Sequence, residues 1–523
     1  MTITFILITL IAMFGHSEDF LGTTLINRPL VLGPLVGLVL GDFSQGIIIG
    51  ATLELIFMGN IKVGAAIPPD VITGGVLGTA FAILSGKGPA VALALAVPIS
   101  ILAEMVISSL FIFRSGFNKN FIQFAEEGDY KKLQWLHVVS GLLKPLLMGL
   151  ITFLALQLGA DVMKSFLDQI PPWVNSGLQV AGNMLPALGF ALLMNVMFNK
   201  KVAPYFFLGF ILSSYLKLPM IAIGGLGVIL ALIITNITHR EAVNEDYSDD
   251  EESPSMQPSF TKTEIRSIFF RSLALEANFN FETCQNTGFA FSMIPVLKKI
   301  YKTKESISLA LKRHLQFFNT SPFGSTLILG ITAAMEEQNS RSKDFDAGSI
   351  NTVKLGLMGP LAGIFDSLFW GTLKVIAAGV GTSLALKGNA AGPILFILIF
   401  NIPHLVLRYH LTFIGYTQGN KFLQKISDSN VMDKLTSGAA IVGLMVVGAM
   451  PALLMSIKTP LQIGAAGSEI SVQGILDQIV PGIIPLALTF LVYSFLKRNV
   501  KTTYLLLGLL LVGFIGSVLH LFV

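Results

Sequence analysis

The sequence predicts an all-α membrane protein of many spans, built of two related halves with broken or re-entrant helices. Three observations predict it. Charged residues make up only 13% of the 523-residue chain, against 53% hydrophobic, whereas a soluble domain carries about 25% charged residues. So few charges cannot coat a water-exposed surface of this size. Apolar runs recur from Pro29 to Leu40, Gly88 to Ala103, Gly177 to Phe198, Pro204 to Thr235, Gly392 to Ile402 and Thr503 to Val523. Several reach the roughly 20 residues a helix needs to cross a bilayer. Third, short matches return in the same order in both parts of the chain. Ser140-Gly141 pairs with Ser437-Gly438, and Leu167-Asp168-Gln169-Ile170 with Leu476-Asp477-Gln478-Ile479. Lys201-Val202 with Tyr205, Leu208 and Gly209 then pairs with Asn499-Val500, Tyr504, Leu507 and Gly508. Transporters often set such repeats around a midplane substrate site.

In chain order, Met1 to Phe14 is apolar with no Lys or Arg before it. A cleaved signal needs a positive n-region, so this stretch reads as a retained first helix. The run from Pro204 to Thr235 is interrupted at Tyr215-Leu216-Lys217-Leu218-Pro219 and can be two short helices or one crossing. Residues 238–260 form an acidic linker: Glu241 to Glu252 holds seven acidic residues, followed by Ser253-Pro254-Ser255. Such a segment cannot bury enough apolar surface to fold. Residues 1–237 and 261–523 are therefore read as two membrane domains. The second opens with a helical lead-in, 261–320, whose basic residues, Lys298, Lys299, Lys302, Lys304, Lys312 and Arg313, place it in the cytosol by the positive-inside rule.

A net charge of +4 gives no case for nucleic acid. The lone Cys284 excludes an intramolecular disulfide and a thiolate-rich metal site. The seven histidines are scattered, with no HxxxH pair, so neither a metal nor a cofactor is expected. The unusual polar groups lie in the first half: Asp42, Glu54, Asn60 and Asp70, set among Gly50-Ala51, Gly59, Gly64 and Pro68-Pro69. A charge within an apolar run costs several kcal/mol and defaults to a functional role. Helix breaks also expose backbone that only a cavity or protein interior can satisfy. Acidic and amide side chains accept from sugar hydroxyls, so these four are candidate substrate ligands. The structural alternative is a helix cap at Asp42 and an exposed loop at Asp70. In the second half Asn319-Thr320 before Pro322 is a further polar break, read equally as a substrate contact or a helix-end cap.

Arg28-Pro29-Leu30 through Gly41-Asp42, Leu53 to Gly59, Gly64 to Asp70, Ala181 to Pro186 and Pro204 to Phe210 resemble enzyme IIC of the mannose/fructose/sorbose phosphotransferase family. Phe270-Arg271-Ser272, Asn280-Phe281-Glu282, Arg313 to Thr320, Glu336-Glu337-Gln338, Gly356 to Gly363 and Phe369 to Thr372 resemble enzyme IID of that family. The resemblance implies one translocation unit made of C and D parts, commonly a trimer of such pairs in the membrane lipid. It implies soluble A and B subunits, phosphorylated through enzyme I and HPr, that phosphorylate the incoming sugar. The phosphocarrying histidines belong to A and B, so no catalytic residue is expected here. The D pattern has Gly-Asp after GPLAG and one residue. Here Phe365 replaces that glycine beside Asp366, which stays a candidate in a turn that Phe365 could repack. The combination of motifs looks closest to the N-acetylgalactosamine branch. The competing reading is an ion-coupled secondary transporter that releases unmodified sugar.

Overall fold

The computed structural model describes the chain apart from residues 1, 58–67, 87, 169–176, 178–179, 181–183, 185, 199–201, 219, 238–259, 343, 426–428, 456, 465–469, 501 and 523. The first half runs α1 (Thr2–His16), a 3-10 turn (Ser17–Phe20), α2 (Pro29–Leu40), α3 (Phe43–Phe57), α4 (Val71–Ser85), α5 (Pro89–Ser115) and α6 (Asn118–Glu126). It continues with α7 (Tyr130–Asp168), α8 (Pro186–Met197), α9 (Ala203–Ser214) and α10 (Met220–Ile237). The second half holds α11 (Lys262–Ser272), α12 (Asn286–Ile300), α13 (Lys304–His314), α14 (Ser325–Arg341) and α15 (Ala347–Leu368). A π-helical turn (Phe369–Leu373) leads to α16 (Lys374–Ala385), α17 (Ala391–Lys425), α18 (Ser429–Leu454), α19 (Val472–Ile479), α20 (Ile483–Lys497) and α21 (Thr502–Val518). A two-stranded antiparallel ribbon, Gln462–Ile463 with Ile470–Ser471, is the only sheet among the described residues.

Among those residues four helical stretches are long and apolar enough to cross a membrane: Thr2–Phe20, Leu95–Glu126, Tyr130–Gly159 and Ala391–Thr417. A fifth is α19 with α20, bent by 78° at their junction. A break of the expected kind is therefore present beside the Leu476-Asp477-Gln478-Ile479 repeat, where the sequence had not located one, while Gln169 and Ile170 of its first-half counterpart lie outside the described residues. Pro204 to Thr235 resolves into α9 and α10, separated where Lys217 takes a left-handed φ of 54°.

Small residues set the close packing. Pro29 opens α2 after an extended Arg28, since its missing N–H costs nothing in a first helical turn. Gly33 and Gly37 of α2 then face Gly50 and Gly46 of α3, and a Cβ on Gly33 would stand 2.7 Å from the Gly50 Cα. Such small-residue seams let helix backbones approach closely in a membrane protein. Gly46, Gly50 and Glu54 are spaced by four residues and share one face of α3, so the seam delivers Glu54 against the start of α2.

The hydrophobic core is shared between the halves. One cluster joins Leu25, Leu30, Ile47 and Ala51 to Phe323, Phe365, Phe369, Trp370 and Phe400. On another flank, a Cβ on Gly209 of α9 would run into the Met445 carbonyl of α18, and one on Gly448 would meet that of Phe206.

Candidate functional site

The segment from Ser17 to Arg28 links α1 to α2 and forms much of a half-open cavity of about 120 Å³. Glu18, Asp19, Thr23, Asn27 and Arg28 line it, with Pro69 and Asp70 before α4 and Lys144 of α7. Glu276, Pro322 and Trp370 close it from the second half.

Lys144 donates to Asp19 over 2.8 Å, and the Leu25 amide donates to Glu18 over 2.6 Å. Asp70 accepts from the amides of Ile72 (3.4 Å) and Thr73 (2.9 Å) as the N-cap of α4, and its own amide donates to the Ser100 carbonyl. His16 sits 3.6 Å from the Asp70 carboxylate and 3.0 Å from the Thr73 hydroxyl. Behind the wall, the Arg28 Nε donates to both Glu54 oxygens at 2.9 and 3.2 Å, and its Nη2 reaches the Phe57 carbonyl at 2.7 Å. The Lys374 ammonium, also buried, lies 5.4 Å from the centre of the Trp370 ring.

The candidates read from sequence divide accordingly. Asp70 lines the cavity and is buried, so the exposed-loop alternative does not hold for it. Glu54 is fully buried but does not line the cavity; it touches it through Arg28. Asn60 lies outside the described residues. Asp42 is exposed and caps α3 by accepting from the Gln45 amide at 3.1 Å, away from the cavity lining. Asn319 is buried, in a segment fixed by Gln285, which donates to the Thr320 carbonyl and accepts from the Thr320 amide. That segment leads to Pro322 at the cavity wall, but Asn319 itself is not part of the lining. Asp366 lies beside Ser321 and outside the lining.

The expected turn at Phe365 is absent: α15 runs through it to Leu368. With the family glycine replaced, the Phe365 ring packs against Gly324 and stacks on Phe369. The π turn follows directly and places Trp370 at the cavity; π turns inside α-helices often occur at functional sites.

Sequence reasoning missed Glu18, Asp19, Lys144, Arg28, Glu276 and Trp370. The signal for the first three was available, since each is a charge in or next to an apolar run. Glu276 and Trp370 belong to a site only because the second half folds against the first.

Comparison with known proteins bears on both halves. A family model described as the PTS system sorbose-specific IIC component matches residues 2–233. One described as the PTS system mannose/fructose/sorbose family IID component matches residues 259–522. The chain belongs to the mannose/fructose/sorbose family of phosphotransferase systems. It joins the membrane IIC and IID components of such a sugar transporter in one polypeptide, integral to the bacterial cell membrane. The PTS system mannose-specific EIID component of Escherichia coli (strain K12) is 38% identical over 51% of this chain and 96% of its own length. The PTS system sorbose-specific EIID component of Klebsiella pneumoniae is 41% identical over 50% and 98%. For the IIC-type half, the mannose-specific EIIC component of Escherichia coli (strain K12) is 29% identical over 45% of this chain and 90% of that protein. In these terms the cavity lies where the IIC-type and IID-type halves meet. Asn118 of the first half donates to Asn280 and Glu282 of the second nearby, at 3.3 and 2.9 Å.

Proposed function

We propose that this chain is the translocation unit of a phosphoenolpyruvate-dependent system that imports a hexose or amino sugar, N-acetylgalactosamine by motif resemblance. Residues 1–237 are its C-type domain, 238–260 a linker, and 261–523 its D-type domain with a cytosolic lead-in at 261–320. The observation that carries the reading is the cavity shared by the two halves. Its carboxylates, Glu18, Asp19, Asp70 and Glu276, accept hydrogen bonds from sugar hydroxyls. Arg28 and Lys144 donate to sugar oxygens, and the Trp370 ring offers an apolar face to sugar C–H groups.

In the mechanism, sugar enters from outside and binds between Asp70, the Ser17–Arg28 segment and Trp370. Glu54 holds Arg28 in place, and Asn60 belongs to the same moving unit. Displacement of that unit against the rest of the chain opens the site inward. Soluble A and B subunits, charged through HPr and enzyme I, then phosphorylate the sugar. The added charge prevents its return, because a sugar phosphate is a poor fit to a wall of carboxylates. Three chains assemble around the membrane normal. No phosphorylated residue of the chain itself takes part.

The test uses inverted vesicles containing this chain, purified A and B subunits, enzyme I, HPr and phosphoenolpyruvate, with labelled N-acetylgalactosamine, mannose and fructose. Phosphorylated N-acetylgalactosamine alone supports the whole reading. Product from mannose or fructose only removes the proposed substrate. Free sugar accumulated on an ion gradient points instead to a secondary transporter.

A further inference from the structure

We infer that Arg408, a residue of α17 outside the cavity, is a positioning residue that straps the Gly22–Arg28 segment into the shape the sugar cavity requires. The segment adopts an uncommon backbone: Gly22, Thr23 and Leu25 all have left-handed φ values, 81°, 65° and 61°. Side chains with a Cβ avoid this region, and β-branched Thr avoids it most. Such conformations persist only where surrounding contacts over-determine them, and they cluster at functional sites.

Those contacts come from the D-type half. Arg408 is fully buried. Its Nη1 donates to the Gly22 carbonyl at 2.9 Å, and its Nη2 donates to the Ser272 carbonyl and hydroxyl at 2.7 and 3.0 Å. One guanidinium thus ties the C-type loop to α11, using the fixed fork that distinguishes Arg from Lys. Two turns earlier on α17, Asn401 donates to the Thr24 carbonyl at 2.7 Å. Thr23 in turn donates to Glu276 at 3.4 Å. Three consecutive residues of the loop are therefore held by three side chains of the other half. The guanidinium also fills the space beside Gly22, where a Cβ would stand 2.7 Å from Nη1. The cavity residues Thr23, Leu25, Asn27 and Arg28 ride on this loop. Through Arg408 and Asn401, which lie outside the cavity lining, the D-type half accordingly sets sugar affinity without touching the sugar.

The consequence for transport rests on the function proposed above; the strap itself does not. The test uses the full chain in lipid nanodiscs, as wild type, Arg408→Lys and Asn401→Leu. Amide exchange of the 21–28 peptide should rise about tenfold in each variant, the factor for one lost hydrogen bond. In the phosphorylation assay KM should rise by a similar factor with maximal rate little changed, the split expected when ground-state binding is lost. Unaltered exchange in Asn401→Leu, whose own helix keeps its remaining bonds, overturns the strap even if Arg408→Lys misfolds. Faster exchange with unchanged KM overturns its role in the cavity. A wild type that phosphorylates no sugar sinks the transport reading, and exchange still decides the strap.

Discussion

Arg28 and Glu54 form a forked ion pair at 2.8 Å between Nη2 and the nearer carboxylate oxygen, with both side chains almost completely buried. The pair joins the start of α2 to the end of α3, where the glycine seam brings the two helices together. Arg28 faces the cavity on its other side, so this contact transmits the packing of two helices to the site.

Removing one partner of a buried pair leaves a charge without compensation, at a cost of about 3–5 kcal/mol. Arg28→Met and Glu54→Leu should each lower the melting temperature in detergent and abolish uptake. The double variant should lose less than the two single losses combined, because each single variant already forfeits the pair. A strictly additive double-mutant cycle, read by thermal melting, would refute the coupling.

Asp42 and Asp70 both cap helices, yet only Asp70 lines the cavity. Replacing either with Ala should destabilise by roughly 0.5–2 kcal/mol, the usual range for a lost N-cap. Sugar KM should rise for Asp70→Ala and stay at the wild-type value for Asp42→Ala. Steady-state uptake at several sugar concentrations separates the two.

The halves should remain together without their linker. Gly209 and Gly448 allow α9 and α18 to touch backbone to backbone, and a Cβ at either meets a carbonyl of the other helix. With a protease site placed within 238–259, the cleaved wild type should co-purify as one complex. Gly209→Leu should dissociate on cleavage, as seen by gel filtration in detergent.

Outside the candidate spans, Glu336 joins α13 to α14. It accepts from Arg313 Nε at 2.8 Å and Tyr301 at 2.6 Å, with His314 3.0 Å away. Burial would raise its carboxyl, but His314 and Arg313 outweigh that and hold it at about 2, below its usual 4.5. Burial pushes the His314 imidazole down from 6.5 to about 4. In both cases the unfolded chain binds protons more readily than the folded one, so acid favours unfolding. The stability due to His314 should fade as pH drops from 6.5 towards 4, and that due to Glu336 from 4.5 towards 2. Melting curves across this range should show His314→Phe losing the upper part of the acid sensitivity. An unchanged profile in that variant would exclude His314 as its source.

Sequence alone determined that this chain is helical, lies in the membrane and falls into two halves. These properties follow from local quantities: charge density, apolar run length, helix-breaking residues and motif order. It also singled out Asp70 and Glu54, because a carboxylate in an apolar setting is conspicuous wherever the chain folds. Which face of the site each would occupy was not legible. Glu54 stands behind Arg28, Asp42 caps α3 at the surface, and Phe365 continues a helix where a turn was expected, because Gly324 leaves room for its ring. Only the tertiary structure could place Glu276, Trp370 and Arg408 at or beside residues 22–28, since they come from the other half of the chain. Each looks ordinary in its own helix, and its role arises from a long-range contact that no local pattern encodes.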